Sequence, residues 1–225
     1  MTTMPIGSAM MTPAALRPDL AIIAANVAAG SRVLDVGCGD GALMAALRDG
    51  HGCDARGLEL NPDDVATALE RGLSVMQGDA DTDLADYPDA AFDYAILSQT
   101  LQTTMRPHVV LEQLLRIGTR AFVSFPNFAH WRVRASLLWG GRMPVTKLLP
   151  LEWYETPNIH HVTIDDFRAF VTARGIVVEG AWFLNRGAQT SAAAANFRAE
   201  HAVFLLRSAA ARTLRVDSHE DGRRT

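Results

Sequence analysis

Apolar positions along this chain alternate between helical spacing and short unbroken runs. Leu16, Leu20, Ile23 and Val27 recur at the three-to-four-residue interval that lines one helical face, and Gly30 ends that segment. Residues 32–36 then form a β-branched, apolar run that stops at a glycine cluster, and residues 42–48 beyond it are rich in strong helix formers. The pattern predicts strand, glycine turn, helix. A second strand over 55–60 runs into Asn61, Pro62, Asp63 and Asp64. There Asn caps, Pro takes the first helical position and the acids complement the positive helix end, so a helix is expected over 63–71, closed by Gly72. Residues 73–77 read as a third strand. Residues 92–98 read as a fourth, whose unbroken apolar run suits a strand covered on both faces.

Residues 107–117 are amphipathic through Val110, Leu111, Leu114 and Leu115, and Gly118 leads into a fifth strand over 120–125. Thr163 followed by Asp166 resembles a capping box with Asp in place of Glu, opening a helix that stops at Gly175. Residues 176–184 and 202–206 read as two last strands joined by a long Gly/Ala/Ser-rich connection. Alternating strands and helices impose a mostly parallel sheet with right-handed crossovers, whose ligand site lies beyond the carboxyl ends of the strands. Residues 1–14 lack any period that could bury a face and read as a mobile arm. The tail at 208–225 is polar and charged and reads as disordered. One domain over 15–207 is expected between them.

Composition narrows the function classes. With 225 residues, 48% hydrophobic and 20% charged, the chain can bury a sizeable core. A net charge of -4 and a pI near 5.9 give no global attraction to polyphosphate, so no nucleic-acid partner is expected. Only two cysteines occur, Cys38 and Cys53, which points to a reduced, cytoplasmic setting instead of a disulfide scaffold. No stretch has the pattern of a signal peptide or the length of a membrane span, so no membrane association is expected.

The chemistry concentrates at the first strand–helix junction. Gly37, Gly39 and Gly41 have the spacing GxGxG, one residue tighter at the third glycine than the dinucleotide fingerprint, and Asp35 precedes them. Glycines let backbone approach a ligand without a Cβ, and the following helix offers free N–H groups. The alternative is a tight strand-to-helix turn with no ligand. Two further acids weigh against it. Glu59 closes the second strand, 18 residues beyond Gly41, where a carboxylate can accept from both ribose hydroxyls. Asp79 follows the third strand, among the acids Asp81 and Asp83, so a merely solvated acid remains an alternative there. The end of the fourth strand, from Ser98 to Gln102, offers no His, Glu or Lys as a general base. Gln99 and Gln102 are left to orient a substrate or to line the nucleotide.

Residues 126–162 are too many for an ordinary connection, and they hold aromatic and basic residues together: Trp131, Trp139, Trp153 and Tyr154 with Arg132, Arg134, Arg142 and Lys147. Such a mixture is what interface hot spots use, and a lid over the site or simple packing of the tryptophans onto the core are the other readings. His160 and His161 are adjacent, so they point in different directions, and no ligand cluster accompanies them; no metal site is expected.

Two resemblances follow from these residues. The spacing of Asp35, Gly37, Gly39 and Gly41 resembles motif I of class I methyltransferases, and Asp79 matches that family's adenine-contacting acid. The resemblance implies a Rossmann-like α/β fold with a seven-stranded sheet in the order 3-2-1-4-5-7-6, helices on both faces and an insertion after strand 5. It also implies a site for S-adenosylmethionine or S-adenosylhomocysteine formed by Asp35, Gly37, Cys38, Gly39, Gly41, Glu59, Leu60, Asp79, Ala80 and Ser98. More specifically, ILSQTLQ at 96–102, VSFPNF at 123–128, HWRVR at 130–134, GGRMPVTK at 140–147 and EWYETPNIH at 152–160 resemble the methionine biosynthesis protein MetW family. That pattern usually has Asp where Glu155 stands. This resemblance implies an accessory subunit that accompanies a homoserine O-acyltransferase of the MetX type, with Trp131, Arg132, Arg134, Arg142, Trp153 and Tyr154 as candidate contacts. The rival expectation is an active methyltransferase on a small-molecule acceptor.

Overall fold

The computed structural model describes residues 16–145 and 149–209. The expected arm at 1–14 lies outside the described residues, as does the expected tail beyond residue 209. Each predicted strand and helix between them is present. The chain begins with α1 (Pro18–Asn26), β1 (Arg32–Val36), α2 (Ala42–His51), β2 (Asp54–Glu59), α3 (Pro62–Glu70) and β3 (Ser74–Gln77). It continues through β4 (Phe92–Ser98), α4 (Pro107–Ile117), β5 (Gly118–Pro126) and the short α5 (Trp131–Ala135). It ends with α6 (Ile164–Ala173), β6 (Val177–Asn185), β7 (Ala188–Thr190), α7 (Ala195–Arg198) and β8 (His201–Arg207).

Local chemistry explains the boundaries. Asn61 caps α3 by accepting from the Asp63 N–H at 3.0 Å, with Pro62 at the first helical position. Thr163 caps α6 by accepting from the Asp166 N–H at 3.1 Å, while its hydroxyl donates to the Asp166 carboxylate at 2.6 Å. In α1 the expected face is buried at Leu20, Ile23 and Val27, and Asp19 is buried beside it.

All eight strands form one sheet in the order β3-β2-β1-β4-β5-β8-β6-β7. The first five pair in parallel, whereas β8 runs antiparallel between β5 and β6. The expected order of seven strands is therefore kept, and an eighth is added at the edge. β7 carries no strand pattern in the sequence, because it lies in a stretch rich in small residues. Arg186 and Gly187 both adopt positive φ, 52° and 79°, and so form a two-residue reversal whose twist matches the flanking strands.

Alternate residues of the central strands supply two cores, one on each face of the sheet. Leu34, Leu97, Val123 and Phe204 pack with Leu111 and Leu114 of α4 and Phe167 of α6. Val33, Ile96, Phe122 and Val203 pack on the other face with Leu20 and Ile23 of α1 and with Leu43 and Leu47 of α2. The chain leaves β1 toward β2 on one side and returns to β4 on the other. A crevice therefore opens at the carboxyl ends of β1 and β4, where the glycine turn lies.

Candidate functional site

The glycine turn begins where β1 ends. Gly37, Gly39 and Gly41 all have positive φ, at 70°, 54° and 76°. Their reasons differ. A Cβ at Gly37 would collide with the Thr100 side chain, so only glycine lets the loop after β4 close over the turn. A Cβ at Gly41, the N-cap of α2, would collide with Leu73, so this glycine serves the packing of α2 against the α3–β3 junction. Gly39 donates its N–H to Glu59 Oε2 at 2.8 Å, and Asn61 N–H donates to Oε1 at 2.9 Å. The Glu59 carboxylate thus joins the glycine turn to the end of β2, and each oxygen keeps a lone pair for a further donor.

Two cavities meet at Gly37. One, of about 380 Å³, is bordered by Glu59, Leu60, Asp79 and Ala80 on one side and by Thr100, Thr103 and Met105 on the other. Its acidic loop is sorted by role. Asp81 accepts from the N–H groups of Met105 and Arg106 at 2.7 and 2.9 Å, fastening the loop after β3 to the loop after β4. Asp83 accepts from the Asp79 N–H at 2.9 Å and packs where a Cβ at Gly78 would stand. Asp79 itself accepts from the Asp81 N–H at 2.9 Å through Oδ1 and borders the cavity.

The other cavity, of about 350 Å³, is bordered by Asp35, Cys38, Gly39, Ser98 and, from the start of α1, Arg17. Asp35 is buried, and that burial pushes its carboxyl up to about 7; the Arg17 guanidinium lowers it and Glu59 raises it. Arg17 donates to Ser98 Oγ at 3.0 Å. Ser98 and Ser124 hydroxyls both approach the buried Asp19 carboxylate, at 2.9 and 3.0 Å, and lie 3.0 Å from each other. The start of α1 is thus tied to the ends of β4 and β5. A cationic and an anionic group facing one cavity suit the two ends of a zwitterionic amino acid. The neighbouring cavity, with two carboxylates, suits a nucleoside carrying hydroxyl and amino donors. That donor set fits S-adenosylmethionine or S-adenosylhomocysteine. Glu59 and Asp79 would hold the nucleoside, and Asp35 and Arg17 the amino-acid end. When bound, S-adenosylmethionine supplies an activated methyl group; its demethylated product does not.

Nine of the ten expected binding residues border one or both cavities, and Gly41 borders neither. Cys38 contributes backbone: its thiol packs beside Met44 toward Gly57 and is pushed far up by burial, with the Asp35 and Glu59 carboxylates adding to the shift. Arg17, Asp19, Thr100 and Ser124 were not singled out from the sequence. Arg17 to Asp19 reads only as a helix start, and nothing local shows that a residue 79 positions from Ser98 touches it. Gln99, at the end of β4, has a φ of 59°, a conformation that costs a non-glycine residue on the order of 1 kcal/mol or more. It turns the chain so that Thr100 overlies Gly37.

The insertion separates into inward and outward parts. Asn127 is fully buried and donates to the Ala199 and Asn196 carbonyls at 2.8 and 3.0 Å, anchoring the chain after β5. Arg134 is exposed, yet it donates to the Ala129 carbonyl at 2.6 Å and lies over the Phe197 ring. Arg132 lies over the Trp131 ring, 5.3 Å from its centroid. Trp139 is 81% exposed, with Leu138 at 76% beside it, so Trp139 does not fold the insertion onto the core. Trp153 and Tyr154 are 71% and 67% exposed and meet edge to face, 5.5 Å apart; Arg142 is exposed as well. His161 packs edge-on against Phe128, and among the described residues no three His, Cys, Asp or Glu side chains gather as a metal cage would require. Among those residues, no helix is long and apolar enough to cross a membrane.

Comparison with known proteins identifies the family and the fold. The family model described as methionine biosynthesis protein MetW matches residues 17–206. A bifunctional methionine biosynthesis protein MetXA/MetW of Rhodopirellula baltica is 34% identical over 172 residues, covering 72% of this chain and 28% of that protein. The chain thus spans under a third of that relative's length. Among solved structures, an S-adenosylmethionine-dependent methyltransferase from Mesorhizobium loti has a TM-score of 0.61 at 20% identity, covering 85% of this chain and 98% of its own. The [4+2]-cyclase SpnF has a TM-score of 0.60 at 16% identity, covering 85% and 81%. Likeness at that identity establishes the fold, and the fold hosts more than one chemistry. The chain has the Rossmann-like α/β methyltransferase fold and belongs to the methionine biosynthesis protein MetW family.

Proposed function

We propose that this protein is an accessory subunit of a MetX-type homoserine O-acyltransferase. In this reading it binds S-adenosylmethionine or S-adenosylhomocysteine at the crevice between β1 and β4 and supports the acyltransferase in the cytoplasm. The observation that carries the proposal is the relative in which MetXA and MetW are named together in one chain, since fusion holds two partners at high effective concentration. The insertion supports it, because Trp131, Arg132, Arg134, Arg142, Trp153 and Tyr154 present aromatic and basic groups at its surface. Two buried, free cysteines suit a reducing compartment. Ligand occupancy can modulate the acyltransferase only if the ligand's affinity differs between the free and the assembled subunit.

The rival reading is methyl transfer to a small acceptor. One observation favours it: the ends of β4 and β5 carry a buried polar network of Asp19, Ser98 and Ser124 beside the ligand cavity. The two separate experimentally. Capture of the acyltransferase from the native host, lost in a Trp139→Ala/Trp153→Ala variant of unchanged melting temperature, supports the accessory role. Turnover of labelled methyl groups onto a metabolite without any bound acyltransferase supports the rival.

A further inference from the structure

A third cavity, of about 340 Å³, lies on the face of the sheet covered by α4 and α6, apart from the two that meet at the glycine turn. Its walls are mostly apolar: Leu101, Leu111, Val162, Phe167 and Phe170. That volume falls within the range of small-molecule sites, roughly 300–1,000 Å³. The polar groups around it are three imidazoles, His108, His160 and His161, and the carboxyl of Asp166. His160 is held in place by its backbone N–H, which donates to the Gln102 carbonyl at 3.0 Å. Its Nε2 is buried and has no hydrogen-bond partner among the described residues. A buried polar atom left in that state is costly to the fold, and a ligand group at hydrogen-bond distance would recover that cost.

We infer that this cavity binds a small organic acid with an apolar body. The apolar walls take the body, and the imidazoles offer N–H donors to a carboxylate. A cation meets the opposite situation. The one carboxyl at the rim, Asp166, is already engaged by the Thr163 hydroxyl at 2.6 Å and by its role in capping α6. The cavity shares a wall with the nucleotide crevice, since Leu101 borders the first and Thr100 and Thr103 border the second. The inference does not depend on the identity of the nucleotide or of the partner protein.

The test is a ligand-observed NMR titration of the full chain at pH 7, with phenylacetate, 2-phenylethanol and 2-phenylethylamine as probes. Phenylacetate is expected to bind at least tenfold more tightly than the amine. Val162→Trp, which fills the cavity, should weaken phenylacetate at least tenfold. Independently, His160→Leu should reduce the preference for the acid over the alcohol at least fivefold. Thermal melting of both variants checks that each is folded, and Phe170→Trp replaces Val162→Trp if the latter is not. Absence of phenylacetate binding at millimolar concentration, equal binding of acid and amine, or unchanged affinity in the folded variants overturns the inference.

Discussion

Asp35 illustrates how a single residue can be costly to the fold and useful to the site. Burial raises its carboxyl from 3.8 to about 7, so between those values the native state holds a proton that the unfolded chain has released. Its contribution to stability is therefore greatest below pH 4 and declines as pH rises toward 7. Binding of a ligand ammonium reverses the preference, because the cation favours the ionised form. Affinity for S-adenosylhomocysteine is expected to rise about tenfold from pH 6 to pH 8, the change a group titrating near 7 imposes, as measured by calorimetry at each pH. Asp35→Asn should flatten that profile and weaken binding while raising the melting temperature at pH 8. A wild-type profile that is flat over this range would show that Asp35 does not meet the ligand's charge. Gly37→Ala forces both a positive φ and a collision with Thr100, and should cost about 1–3 kcal/mol in chemical denaturation along with loss of nucleotide binding. At this scale the sequence was legible where a backbone need selects one residue type, as at Gly37 and Gly39, or where strand spacing places an acid, as at Glu59. It was illegible at Arg17 and Asp19, whose roles come from distant partners that only the folded sheet brings near.

Among the elements, those with local signals could be read directly. α3 and α6 announce themselves through Asn61 and Thr163, whose side chains make the caps that their sequence suggests. Thr163→Ala should lower stability by about 1 kcal/mol, read as a shift in denaturation midpoint with unchanged slope. β7 has no such signal: three residues of ordinary type follow Arg186 and Gly187, and pairing with β6 makes them a strand. α1 is the element whose attachment is least apparent from its sequence. Its buried face includes Asp19, an acid that a helical periodicity argument assigns to solvent, and that acid ties α1 to β4 and β5 through two serine hydroxyls. Asp19→Ala leaves those buried hydroxyls without their acceptor and frees Arg17, so it should cost about 2 kcal/mol and also weaken binding of S-adenosylhomocysteine. A stability loss with unchanged affinity would restrict this network to holding the helix.

At the scale of the molecule, the sheet divides the labour. The carboxyl ends of β1, β2 and β3 carry the acids and glycines of the proposed nucleotide crevice, while the long excursion after β5 carries exposed Leu138, Trp139, Trp153 and Tyr154. Large apolar and aromatic side chains exposed together on one segment mark association surfaces more often than solvated ones. The length of the excursion was visible in the sequence, and so was its composition. How far each side chain turns outward was not, because Trp131 and Trp139 carry the same chemistry, and their different exposures, 42% and 81%, come from where the chain after Asn127 takes them. These two regions fit the proposed role, a subunit that acts on a MetX-type acyltransferase and passes nucleotide occupancy on to it. The most direct measurement is acyltransferase turnover by the native-host enzyme with and without the full chain, each with and without S-adenosylhomocysteine. Activity is expected to be higher when the chain is present, to change further on adding the nucleotide, and to lose that nucleotide response in Asp35→Asn. Acyltransferase activity that is the same in all four conditions would rule out that role.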